Sequence, residues 1–74
     1  MKGANMKNYG EILRKHRVTR GLSLKDVESK TGISNQNLSR WETGSVIPGI
    51  NFCEKLADFY KITIDELIGR KIEF

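Results

Sequence analysis

Side chains that can form paired hydrogen bonds are concentrated in one polar stretch, residues 34–40. The amides of Asn35 and Gln36 each offer a donor and an acceptor, which match N7 and N6 of adenine. The guanidinium of Arg40 can bond two acceptors of guanine or hold a phosphate. Such groups could read bases, but the outer face of any surface helix is also polar, and residue types alone favour that plainer interpretation.

Other chemistries have little support in this sequence. The chain has one histidine, His16, and one cysteine, Cys53, so it can form neither an internal disulfide nor a zinc cluster of four Cys or His ligands. No nucleophile is paired with a base, and the glycines are spaced as helix ends and do not form a phosphate-binding loop. We therefore predict that the protein is not an enzyme and holds no metal or cofactor. His16 and Cys53 are interpreted as residues that pack in or near the core.

Residues 21–44 are predicted to form two short helices joined by a tight turn. Ser23 and Ser34 each precede a run with helical spacing, where a hydroxyl can accept a hydrogen bond from a free backbone N–H. Gly32 stands where the first helix must end in a left-handed conformation, and the apolar Ile33 follows. This arrangement is a helix-turn-helix, in which the second helix presents its polar face to DNA.

Each of these two helices has one apolar face. Leu24 and Val27 are three residues apart, as are Leu38 and Trp41. Since residues three apart share a helix face, both pairs should pack inward, and the amide and guanidinium side chains of the second helix should project outward together. Trp41 is accordingly predicted to be a core residue and not a base-stacking one.

Three further helices are predicted around this motif. The first runs over about residues 9–20 with Asn8 as its cap, the fourth runs from just after Pro48 to about Tyr60, and the fifth runs over residues 63–69 from a capping box. Residues predicted to face inward on these helices are Tyr9, Leu13, His16, Cys53, Leu56, Ala57, Tyr60, Ile64 and Leu67. The predicted fold class is all-α, a compact five-helix bundle with no strands.

A chain of 74 residues is long enough for one small domain, predicted here over residues 8–69. Residues 1–7 are expected to be a disordered or non-native lead, with Met6 as an alternative start, and residues 70–74 a tail. No run approaches the ~18 apolar residues of a membrane span, and the lead lacks the apolar core of a secretion signal. A reducing, cytoplasmic location with no membrane partner is the expectation.

The net charge of +4 is unevenly distributed. Residues 1–21 contain six basic residues against the single acidic Glu11, whereas the rest of the chain is close to balanced. A positive field on one side of a small domain suits a polyanion such as DNA, although a basic stripe is often only a solvated helix face.

A series of residues in fixed order resembles one known family. They are Arg17, Gly21, Leu22, Ser23, Val27, Gly32, Ile33, Ser34, Leu38, Ser39, Arg40, Trp41, Glu42, Thr43, Gly44, Pro48, Leu56, Ala57, Asp65, Glu66 and Leu67. From Tyr9 to about Ile68 the chain is similar to the phage repressor and Cro type of helix-turn-helix, the xenobiotic-response-element family of bacterial and phage regulators. The resemblance implies a lambda-repressor-like domain that binds operator DNA, commonly as a dimer.

The resemblance also implies roles for individual residues. Ser34, Asn35, Gln36 and Arg40 match positions that touch DNA in the family. From their chemistry, Asn35, Gln36 and Arg40 are the predicted base-reading residues. Arg17 and Glu42 match an ion pair that holds the recognition helix against the bundle. Residues expected to contact the DNA backbone or to support the site are Ser23, Lys25, Ser34, Asn37 and Ser39.

Two positions depart from the family pattern. Leu24 stands where a phosphate-binding glutamine is common, and the loop at residues 45–47 is uncharged where basic residues are frequent. We expect Arg14, Lys15 or Arg20 to compensate for the missing phosphate contacts.

Three functions fit these observations. The first is a transcriptional repressor, the second an antitoxin that binds both its operator and a toxin, and the third a protein-interaction module that has lost DNA binding. Phe52 and Phe59, with Ile72 or Phe74 of the tail, could form a homodimer contact; alternatively, the tail folds back over the two phenylalanines within one chain.

Overall fold

The computed structural model describes residues 9–67, which form five helices. These are α1 (Tyr9–Thr19), α2 (Leu24–Thr31), α3 (Asn35–Glu42), α4 (Ile50–Tyr60) and α5 (Ile64–Leu67). No strand occurs within this range, which confirms the predicted all-α bundle. The expectations for residues 1–7, Asn8, the end of the fifth helix and residues 70–74 lie outside the described residues.

Local hydrogen bonds define the helix-turn-helix, as the serine and glycine spacing predicted. The Ser23 hydroxyl accepts from the Asp26 N–H at 3.0 Å, while the Asp26 carboxylate accepts from the Ser23 N–H at 2.8 Å. These bonds hold the pKa of Asp26 below its usual value. The Ser34 hydroxyl caps α3 by accepting from the Asn37 N–H, and Gly32 ends α2 with φ of 80°. The turn between α2 and α3 is therefore held at both ends.

The core lies where all five helices meet. Its buried apolar residues are Tyr9, Leu13, Val27, Ile33, Leu38, Trp41, Cys53, Leu56, Ala57, Tyr60 and Leu67. This set includes most positions that helical spacing predicted to face inward; Leu24, His16 and Ile64 are only partly buried. The apolar stripes therefore converge into one hydrophobic core.

Helices α1 and α3 pack unusually close together at Gly10. A Cβ atom at this position would lie 2.5 Å from the Glu42 carbonyl oxygen and 2.7 Å from that of Trp41. Only glycine fits there without backbone movement. This contact determines how closely α3 packs against α1.

The α4–α5 connection uses a left-handed residue that is not glycine. Lys61 has φ of 60° and ends α4, and the Thr63 hydroxyl then accepts from the Glu66 N–H at 3.0 Å to begin α5. That bond is one half of the predicted capping box. No helix in the described range is both long and apolar enough to cross a bilayer.

Candidate nucleic-acid interface

Helix α3 is anchored through one face and open on another. Leu38 and Trp41 are 3% and 4% exposed, and the Trp41 ring lies against the Phe52 ring with centroids 5.0 Å apart. Gln36 and Arg40, four residues apart and therefore adjacent on the helix surface, are both exposed. The structure thus brings the predicted amide and guanidinium together on the solvent side of a fixed helix.

Asn35, the first residue of α3, is placed differently from the prediction. Its Nδ2 donates to Oε1 of Glu28 on α2 at 2.7 Å, and both residues are half-buried. Two of the three predicted base-reading side chains are therefore exposed, whereas the third is held by another part of the molecule. Its role in base reading stays a prediction.

The predicted supporting residues divide between capping and exposed positions. The Ser23 and Ser34 hydroxyls cap α2 and α3, so they satisfy N–H groups of the protein. Lys25 is exposed in the first turn of α2, while Asn37 and Ser39 are half-buried on α3. The remaining N–H groups at the starts of α2 and α3 can donate to phosphate oxygens. The positive end of each helix dipole lies there and stabilises a nearby anion.

Arg17 connects three parts of the domain. Its Nε and Nη2 donate to the two carboxylate oxygens of Glu42 at 2.8 and 2.9 Å, and its Nη1 donates to the Leu22 carbonyl at 2.9 Å. The hydrogen bonds that Arg17 donates to Glu42 raise the pKa of Arg17 above its usual value. The ion pair implied by the family resemblance is present, and it links α1 to the end of α3.

The basic residues of α1 do not all have the same role. Arg14 and Lys15 are exposed. Arg20 donates to the carbonyls of His16 and Tyr60 at 2.9 and 2.7 Å, and its guanidinium lies 5.2 Å from the centre of the Tyr60 ring. Among the three residues expected to compensate for phosphate contacts, Arg20 is thus engaged within the protein, while the side chains of Arg14 and Lys15 are exposed to solvent.

His16 and Cys53 have the packing environments that the sequence predicted. The His16 ring stacks on Tyr60 at 5.8 Å, with Nε2 3.6 Å from Oε2 of Glu66. Cys53 is buried, and burial raises the pKa of its thiol, which keeps it from being a reactive thiolate near neutral pH. Within residues 9–67 no group of three potential ligands could hold a metal ion.

The loop after α3 is apolar and exposed. Val46 and Ile47 in the loop are 47% and 59% exposed, as is Ile50 at the start of α4 at 64%. The Val46 carbonyl accepts a hydrogen bond from the Tyr9 hydroxyl at 2.8 Å. The sequence showed that this loop lacks charge, and the structure adds that its backbone is tied to α1. Phosphate contacts from its side chains are therefore not expected.

Comparison with known proteins agrees with this geometry. A family model described as helix-turn-helix matches residues 13–67, most of the chain. The chain belongs to the helix-turn-helix family, of the Cro and C1 repressor type. This membership supports a DNA-binding transcription regulator. No curated protein matches the chain.

A solved structure shows the same helix-turn-helix fold. It is the structure of the S. venezulae BldD DNA-binding domain, which has 33% sequence identity to this chain and a TM-score of 0.74, and the match covers 84% of this chain and 93% of that chain. At this identity the similarity extends to sequence as well as fold.

Two residues that matter for the position of α3 were missed by sequence reasoning. From sequence alone Gly10 reads only as a residue that weakens a helix. Nothing in the neighbouring residues indicates that the backbone of α3 packs directly against it. Glu28 lies seven residues before Asn35, across the turn, so helical spacing cannot connect them. Correlated changes at positions 28 and 35 among related sequences would be the signal needed to find the role of Glu28.

Proposed function

We propose that this chain is a sequence-specific repressor of transcription that inserts α3 into the major groove of an operator. The observation that carries the proposal is the division of α3 into two faces. Leu38 and Trp41 fix one face in the core, while Gln36 and Arg40 are exposed together on another. An amide and a guanidinium one turn apart suit adenine and an adjacent guanine or phosphate.

Contacts to the DNA backbone would come from the surroundings of this helix. The first-turn N–H groups of α2 and α3, with the exposed Lys25, are suited to phosphates on either side of the groove. Asn37 and Ser39 of α3 would assist them. The exposed Arg14 and Lys15 of α1 would add positive charge to this surface. A protein that binds bacterial or phage DNA is expected to act in the cytoplasm.

Binding as a homodimer belongs to the same proposal. Two copies on DNA would place their recognition helices about 34–36 Å apart, one turn of the duplex, on a near-palindromic site. Phe52 packs against Trp41 but is still 40% exposed, so part of its ring is available for a contact between copies. Phe59 packs against Tyr60 and is half-buried within the chain. A selected site with two half-sites at that spacing supports the dimer; a single half-site contradicts it.

Selection from a random DNA pool at two salt concentrations tests base reading. The wild-type protein should enrich a defined motif, Gln36→Ala should lose preference at one base pair, and Arg40→Ala should either lose preference at another or weaken all sites and reduce the salt slope by about one. Lys55→Ala, on the exposed side of α4, is the matched control. A pool that stays uniform and is bound with steep salt dependence would overturn the proposal.

The direction of regulation needs a separate measurement. A regulator that occupies promoter DNA competes with polymerase for it, so purified protein should lower transcription from a promoter that carries the selected motif. The same promoter with a scrambled motif is the control. Increased transcription would show an activator.

A further inference from the structure

One hydrogen bond joins the two helices of the motif at the start of the proposed recognition helix. Nδ2 of Asn35 donates to Oε1 of Glu28 at 2.7 Å. The backbone between them is also fixed, since the Gly32 N–H donates to the Glu28 carbonyl at 2.7 Å and the Ile33 N–H donates to the Thr31 hydroxyl at 3.2 Å. The two side chains therefore meet across a rigid turn.

The chemistry of this pair fixes which end of the amide faces α2. An ionised carboxylate has no hydrogen to donate, so it can only accept. If the Asn35 amide were rotated by half a turn, its Oδ1 would face Oε1 of Glu28 with no hydrogen between them. Glu28 thus selects the orientation in which the nitrogen of Asn35 points toward α2.

We propose that Glu28 is a positioning residue that makes Asn35 prefer adenine over guanine; this inference rests on the proposed function. With one hydrogen of Nδ2 taken by Glu28, Asn35 keeps one N–H donor and the acceptor Oδ1. Adenine presents an acceptor, N7, beside a donor, N6. Guanine presents two acceptors, N7 and O6, so its O6 would oppose Oδ1 without a hydrogen.

Although Glu28 should improve the discrimination between adenine and guanine, its charge should weaken the affinity for DNA of any sequence. A carboxylate near the DNA repels phosphates, and this repulsion is the same for every sequence. Removing it should therefore strengthen binding to all sites while weakening the choice between adenine and guanine at one site. Opposite changes in affinity and in discrimination are not produced by a simple loss of fold.

The experiment uses the full chain and a site selected by the wild type. Asn35→Ala first identifies the base pair at which Asn35 acts. Dissociation constants are then measured for adenine and guanine at that position with wild type, Glu28→Ala, Glu28→Gln and the double variant of Glu28→Ala with Asn35→Ala. Glu54→Ala, which removes an exposed carboxylate on α4, is the matched control, and thermal unfolding confirms that each variant is folded.

The wild type should prefer adenine by about tenfold or more, the worth of a good paired contact. Glu28→Ala should reduce this ratio severalfold and leave the base preferences at the other positions unchanged, while the double variant should have the same adenine-to-guanine ratio as Asn35→Ala. Glu28→Gln removes the same charge but keeps an amide oxygen that can accept, so it should share the gain in general affinity and lose less discrimination. Glu54→Ala should retain the wild-type ratio.

Three results would overturn the inference. Glu28→Ala could keep the wild-type adenine-to-guanine ratio, it could weaken the base preference at all positions equally, or Asn35→Ala could leave every base preference intact. In each case the proposed function survives if Gln36→Ala or Arg40→Ala still alters the selected motif. A wild type that selects no motif overturns the proposed function, and the inference with it.

Discussion

Arg17 and Glu42 face each other through two parallel hydrogen bonds of 2.8 and 2.9 Å. Their side chains are only 14% and 7% exposed, so the pair lies largely out of water. Because Glu42 is the last residue of α3 and Arg17 lies on α1, this contact fixes the end of the proposed recognition helix. The position of α3 therefore depends on a shielded ion pair as well as on its apolar face.

Glu42→Ala should lower the free energy of unfolding by about 3 kcal/mol, because the guanidinium would stay shielded without its carboxylate. Urea denaturation measures this change. Replacing Arg17 by Met and Glu42 by Leu together should cost less than Glu42→Ala alone. A change within about 0.5 kcal/mol for Glu42→Ala, equal to that expected of an exposed control such as Glu54→Ala, would show that the pair contributes little.

Gly10→Ala should destabilise the protein although alanine is the better helix former. The added methyl would meet the Trp41 and Glu42 carbonyl oxygens and push α1 from α3, at a cost of about 1–3 kcal/mol. Ser29→Ala, at an exposed position of α2, is the control and should be neutral or slightly stabilising. A gain in stability for Gly10→Ala would contradict the close approach of the two helices.

Lys61→Gly should stabilise the domain. Lys61 has a left-handed backbone at the end of α4, which costs a residue with a side chain about 1 kcal/mol relative to glycine. Part of that gain is offset by the greater freedom of glycine in the unfolded chain, so a rise of about 2–5 °C in Tm is expected from calorimetry. Lys55→Gly, within α4, should instead lower Tm.

Tyr60 should make stability depend on alkaline pH. Burial raises its pKa to about 12, helped by the negative charge of Glu42 and opposed by Arg17 and Arg20. The folded state thus favours the neutral phenol, so this stabilising contribution is complete below about pH 10, where a free tyrosine titrates, and is lost as pH rises toward 12.

Urea denaturation of wild type and Tyr60→Phe between pH 8 and pH 11, about the range of tyrosine titration, measures this contribution. The wild type should lose more stability than the variant over the upper part of that range. Parallel pH profiles would show that the Tyr60 phenol is not responsible.

The helices and caps could be predicted because their signals are local. Ser23, Ser34 and Gly32 act on backbone groups within a few residues, and the spacing of Leu38 and Trp41 reports which helix face is buried. The five helices and most of the core follow from such signals.

The contacts between helices could not be predicted in the same way. The approach at Gly10, the bonds of Arg20 to Tyr60 and the bond of Asn35 to Glu28 join residues whose meeting depends on how the helices pack. The Arg17–Glu42 pair was expected only from family resemblance, because no spacing rule relates residues 25 positions apart.

The bond between Asn35 and Glu28 bears on any attempt to retarget this domain. Gln36 and Arg40 are exposed and can be randomised in a library with little risk to the scaffold. Position 35 is different, because each new side chain there must be accommodated by its partner on α2. Libraries that vary residues 28 and 35 jointly should yield more functional variants than libraries that vary residue 35 by itself.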